Sequence, residues 1–164
     1  MSRAFVNEDN AAAQADQPVE RQVSAQPNYV TPTGLIQLQA KVAELQQQLS
    51  AESAKGEQAD KQRQADLQRD LRYFNQRVLS AQVITPASST QKVQIGSRVT
   101  FADEHNAEQT VQLVGEDQAD ASAGLINWGS PLGRALLGAQ LGDEVLWQRP
   151  AGDQLIEIIR IEPA

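Results

Sequence analysis

"TPTGLIQLQAKVAELQQQL", residues 31–49, sets the reading of the whole chain. Leu35, Leu38, Val42, Leu45 and Leu49 recur at spacings of 3, 4, 3 and 4, so one face of a helix carries all five. Thr31 stands where it can cap that helix. Pro32 stands where it can open it, because a first-turn proline lacks only an N–H that has no helical partner anyway. A second run, Leu67, Leu71, Phe74, Val78 and Ala81, repeats at 4, 3, 4 and 3. Neither seam is long enough to hold a helix alone in water. Together they predict an antiparallel helical hairpin, a short coiled coil spanning residues 29–84.

Between the seams lies "SAESAKGEQADKQRQAD", residues 50–66, with no large aliphatic side chain. Gly56, near its midpoint, is the natural turn. Glu52, Glu57, Asp60 and Asp66 stand beside Lys55, Lys61 and Arg63. Two readings compete. The stretch is a solvated tip, or Glu57 and Asp60, three apart on one helix face, present a carboxylate pair to a metal ion. The adjacent cations favour the solvated tip.

Beyond "VITPAS" the period changes from helical to alternating. "KVQIGSRVTF", "TVQLVG", "LINWG", "DEVLWQRP" and "LIEIIRI" are short runs rich in Val, Ile, Leu and Trp, punctuated by Gly, Asp and Asn. They predict an antiparallel sheet, interrupted by one helical piece, "PLGRALLG". Trp128 and Trp147 fall inside these runs and read as core packing. Residues 85–164 are thus expected to form a small α+β domain. Residues 1–28 read as a disordered leader, since from residue 7 onward only Val19 and Val23 are available to a core. Phe5 and Val6 before them suffice for a docking contact.

Composition narrows the function. The chain has 164 residues and a net charge of −7, which disfavours unaided binding to nucleic-acid phosphates. The acidity is concentrated in residues 85–164, with eleven acids against five bases, while residues 31–84 carry six against seven. With no cysteine and one histidine, His105, there is almost no material for a zinc site or a Ser-His-Asp triad. His105 lies in "DEHNAEQ" and reads as a turn residue. The first residues lack the apolar run of a signal peptide, no stretch approaches a membrane span, and the absence of cysteine fits the cytosol. A cytoplasmic monomer is the expectation.

The C-terminal stretch "LVGEDQADASAGLINWGSPLGRALLGAQLGDEVLWQRPAGDQLIEIIRI", residues 113–161, resembles the C-terminal domain of the GreA/GreB transcription elongation factors, notably their short-hairpin members. The Ser-Pro-x-x-x-Ala-Leu-Leu-Gly core followed by Gly-Asp-Glu-Val carries the likeness. "NYVTPTGLIQLQAKVAEL" and "RDLRYFNQRVLSAQVI" resemble the two arms of that family's coiled coil. The resemblance implies an FKBP-like C-terminal domain that docks on the rim of the secondary channel of RNA polymerase. Its contact loop would be Trp128, Gly129, Ser130, Pro131 and Leu132. Nucleic acid would be met only inside the transcription complex, and the protein would be no enzyme itself, at most stimulating RNA cleavage by the polymerase.

In cleavage-competent members, tip acids in a Gly-Asp-x-x-Glu-Asn-Ala-acid-Tyr motif help hold a Mg²⁺ ion shared with the polymerase. The nearest match here is "AKGEQADKQ", with Glu57 and Asp60 at acidic positions but Ala54 at the Asp position and Lys61 at the Tyr position. Counting back from "LRYF" without gaps instead sets Ser50 and Ser53 at the two acids. The arms are also shorter than in long-hairpin members by about fifteen residues in total, or roughly 10 Å of reach. The expected function is therefore a polymerase-binding elongation factor without efficient tip-carboxylate catalysis and with no cofactor of its own. One alternative is an active cleavage factor using Glu57 and Asp60. Another, of a different class, is an FKBP-like peptide-binding or prolyl isomerase module, for which fold alone is no warrant.

Overall fold

Helix α1 (Pro32–Ser53) and helix α2 (Lys61–Ser80) flank a single 3₁₀ turn at Gly56–Gln58. The computed structural model describes residues 19–164. Thr31 caps α1 as expected, its Oγ1 accepting from the Gly34 N–H at 3.0 Å. Leu38 and Leu45 of the first seam are buried and Leu35, Val42 and Leu49 half-buried. On α2, Leu67 is buried, while Leu71, Phe74 and Val78, with Ala81 just past its end, are half-buried. Two residues off that seam, Tyr73 and Arg77, are buried more deeply than most of it. The Arg77 guanidinium lies 6.0 Å from the Tyr73 ring centre, within the range where a cation is drawn to an aromatic face. The polar tip is shorter than its composition suggested. Helix continues to Ser53 and resumes at Lys61, with Gly56 supplying the left-handed turn at φ 62°.

Contacts divide the chain into two units. One comprises residues 40–77 with 19–24 among those described; the other comprises residues 25–39 and 78–164. The expected boundaries at 28/29 and 84/85 both fall inside the second unit. Of the expected leader, residues 1–18 lie outside the described residues. Residues 19–28 make specific contacts: Asn28, for example, is buried and donates from Nδ2 to Ser80 Oγ at 3.1 Å.

In the second unit, β1 (Tyr29–Val30) pairs in parallel with β2 (Gln82–Val83). The Gln82 N–H donates to Asn28 O at 2.8 Å and the Ile84 N–H to Val30 O at 2.9 Å. Thr31 Oγ1 donates to Gln118 Oε1 at 2.6 Å. The main sheet holds β3 (Arg98–Ala102), β4 (Glu108–Val114), β5 (Leu125–Asn127), β6 (Glu144–Trp147) and β7 (Gln154–Glu162), in the order β5-β4-β3-β7-β6. It is not wholly antiparallel, as the sequence suggested. β5 runs parallel to β4, because the connection through Gly115–Gly124, with two 3₁₀ turns, returns the chain to re-enter in the same direction.

One face of the sheet supplies Val99, Phe101, Val111, Leu113, Ile156, Ile158 and Ile161 to the core, and α3 (Pro131–Leu136) closes it with Leu132 and Leu136. Trp147 packs edge-on against Phe101 at 6.1 Å, as a core residue should. Trp128 does not. It lies just past β5, half-buried, with its ring tilted against Tyr29 at 5.3 Å. His105 sits in the β3–β4 turn, its N–H donating to Asp103 Oδ1 at 2.8 Å. Among the described residues no helix is long and apolar enough to cross a membrane.

Candidate functional site

The tip is organised by Glu52, which the sequence reading did not single out. Its side chain is 5% exposed although it sits in a polar stretch. Oε1 accepts from the Asp60 N–H at 2.7 Å and Oε2 from Lys55 Nζ at 2.8 Å, with Arg63 Nε at 3.8 Å. The Lys55 hydrogen bond first, then that of the Asp60 N–H, hold its carboxyl below the usual carboxylate range. A buried charge needs such partners, since an unpaired one would be expelled or neutralised. The signal was partly legible. Glu52 and Lys55 are three apart at the end of a helix, where such pairs meet.

Asp60 and Glu57 do not share a helix face. Asp60 is the N-cap of α2, its Oδ1 accepting from the Arg63 N–H at 3.1 Å. Glu57 is exposed within the 3₁₀ turn, which is closed by the Ala59 N–H donating to Gly56 O at 3.1 Å. A second tie crosses the turn, from Gln64 Nε2 to Ser53 Oγ at 3.2 Å. One of the two candidate carboxylates is thus occupied in starting a helix. The pair does not fit a Mg²⁺ site in this arrangement.

The other candidate region is the loop Trp128–Leu132 with the start of α3. Ser130 Oγ accepts from the Gly133 N–H at 3.1 Å and donates to Asn127 O at 2.7 Å. Asn127 Oδ1 accepts from the Gly129 N–H at 2.9 Å, and the Trp128 N–H reaches Val114 O at 3.0 Å. Pro131 takes the first helical position and is exposed. Gly133 has no alternative, because a Cβ there would lie 2.3 Å from Asn127 O and 2.6 Å from Trp128 O. Leu132, expected among the contact residues, is 7% exposed and belongs to the core. Beside the loop runs an open, largely apolar groove of about 580 Å³, walled by Ile126, Pro131, Trp147 and Pro150. Arg149 stands at its edge, 5.1 Å from the Trp147 ring, with Nε donating to Gly152 O at 3.2 Å.

A capped loop beside a groove is a generic surface and does not by itself name a function. Residues 88–163 match the family described as transcription elongation factor GreA/GreB, C-terminal. The chain is 33% identical over 152 residues to transcription elongation factor GreB of Neisseria meningitidis serogroup B, an alignment covering 82% of this chain and 93% of that relative. The chain belongs to the GreA/GreB family. This family member is also 37% identical over 105 residues to transcription elongation factor GreA of Sphingopyxis alaskensis, spanning 63% of its own length and just 66% of that relative. Solved structures are also similar to it, two of them as follows. The transcription elongation factor GreA/GreB from Nitrosomonas europaea is 24% identical with a TM-score of 0.41, covering 81% of this chain and 97% of that one. The GreA factor homolog 1 of Thermus thermophilus is 20% identical with a TM-score of 0.41, covering 84% and 99%.

Proposed function

We propose that the protein is a transcription elongation factor that binds RNA polymerase at the rim of the secondary channel and regulates elongation without tip-carboxylate catalysis. The observation that carries this reading is the Ser130-capped loop beside its apolar groove, in a chain of this family. A loop fixed by bonds through Asn127 and Ser130 loses little freedom on binding, so its exposed Pro131 can act as an anchor. In this reading the sheet unit is FKBP-like, and the two helices form an antiparallel coiled coil directed into the channel. The tip acts by its shape. Glu52 holds it closed and Asp60 starts α2, so no carboxylate pair is left arranged for Mg²⁺.

The test is binding to the cognate polymerase, followed by transcription on stalled and backtracked complexes. Pro131→Lys places a charge on the exposed rim of the groove at a position where a helix tolerates it. It is expected to weaken binding at least tenfold, as loss of a packed anchor does, with the circular-dichroism spectrum intact. Unchanged affinity would remove the loop from the interface. Rapid Mg²⁺-dependent RNA cleavage that needs Glu57 and Asp60 would overturn the non-catalytic tip.

A further inference from the structure

Within residues 19–24, Glu20 and Arg21 make specific contacts with α2, away from the docking loop. Arg21 lays its guanidinium 3.9 Å from the Tyr73 ring centre and 5.1 Å from that of Phe74, and pairs with Asp70 at 3.5 Å. Glu20 grips Arg72 with both oxygens, one contact being Nε to Oε2 at 3.2 Å and the other Nη2 to Oε1. The pairing holds the Glu20 carboxyl below its usual range and raises the Arg72 guanidinium, the mutual hydrogen bond being the largest cause for each. Two consecutive residues thus engage four side chains within about one and a half turns of α2: an acid, a base and two rings. That is a docked segment, and it lies in the same unit as the body of α2.

We propose that residues 19–24 are an autoinhibitory strap on the second helix, which must lift before that helix can pass deep into a narrow acceptor. The proposal rests on the reading of the two helices as an arm that enters a channel. Asp70 to Phe74 lie nine to thirteen residues beyond Lys61, where α2 begins. At 1.5 Å per residue this is roughly 14–20 Å from the turn. Shallow insertion of the tip leaves the strap undisturbed; deeper insertion meets a chain laid along the helix. The strap is also built to release. Glu20 and Arg72 are more than half exposed, and exposed ion pairs and ring–cation contacts hold a segment by a factor on the order of ten to thirty. A strap buried in the core would be a fixed part of the fold; this one is poised.

Trypsin reads the strap directly, because it cuts after Arg21 only when that side chain is free. In the full-length protein, Glu20→Ala removes both acceptors of Arg72 without altering α2 and without adding a trypsin site. Cleavage at Arg21 is expected to rise about tenfold in this variant, and in wild type to rise similarly at 1 M salt, where screening acts within about 3 Å. In parallel, the concentration of Glu20→Ala needed for half its effect on elongation is expected to fall severalfold. Equal cleavage rates in variant and wild type would show that no strap docks. Faster cleavage with unchanged potency would show a strap that does not inhibit. Neither protein altering elongation would sink the polymerase reading and the inhibitory role with it, while the trypsin rates would still report the docking itself.

Discussion

The tip and the Ser130 loop are built on the same local grammar and end in opposite states. In each, a short polar side chain caps a helix by accepting from an N–H three residues on: Asp60 from Arg63, Ser130 from Gly133. In each, the cap residue's own backbone or side chain is tied to a residue before it, Asp60 to Glu52 and Ser130 to Asn127. The difference lies beneath. The Ser130 loop rests on Leu132 and Leu136 in the core, and Gly133 allows two carbonyls to close over the helix start. The tip rests on one carboxylate and two cations that are more than half exposed. Capping fixes where a helix begins; packing under the cap fixes how hard it is to open.

The comparison breaks first at Gly133. Gly133→Ala brings a Cβ to 2.3 Å from a backbone oxygen, so the loop must move rather than a flexible side chain. A loss of about 1–3 kcal/mol is expected, as for overpacking elsewhere, seen as a lower urea midpoint for the sheet unit. A midpoint equal to wild type would mean the loop is as pliable as the tip.

A smaller effect is expected at Glu52. Glu52→Ala removes the acceptor of the Asp60 N–H, and hydrogen exchange there should quicken about tenfold, while exchange in β3 and β7 stays as it was. Glu52→Gln keeps an acceptor but not the charge and should fall between. Acid should act like the mutation. The folded Glu52 carboxyl lies below its ordinary value, so its stabilisation is complete above that ordinary value and is lost as pH falls through the folded one. Protection of Asp60 that is flat with pH on the acid side would remove Glu52 from its role.

The smallest effect sharpens the contrast between shape and chemistry. Glu57→Gln with Asp60→Asn keeps the cap of α2 and removes both charges. The effect on elongation should stay within about twofold of wild type, whereas loss of a group acting in catalysis costs a hundredfold or more. A transcript-cleavage assay on backtracked complexes separates the two.

Much of this was legible from residue spacing. The seam at Leu35–Leu49 and the caps at Thr31 and Ser130 are local, so the chain states them directly. The direction of β5 was not legible, because alternation of apolar and polar residues is the same in parallel and antiparallel strands. Burial of Glu52 depends on Lys55, Arg63 and a backbone N–H meeting across a turn, and no composition rule announces that. Leu132 was expected at the contact through the resemblance of its loop to the family's docking loop, yet on α3 it is buried in the core. Arg21 looked like part of an unpacked leader because its partners, Asp70, Tyr73 and Phe74, lie some fifty residues away.

The placement of the aromatic residues sets what light can report. Both tryptophans, Trp128 against Tyr29 and Trp147 against Phe101, belong to the unit formed by residues 25–39 and 78–164. Their emission therefore follows melting of the sheet and stays silent when α2 frays from Lys61. Ellipticity at the helical bands follows the helices. In a thermal scan the two signals should diverge, with ellipticity falling first, and their separation would measure how far the two units fail to unfold as one.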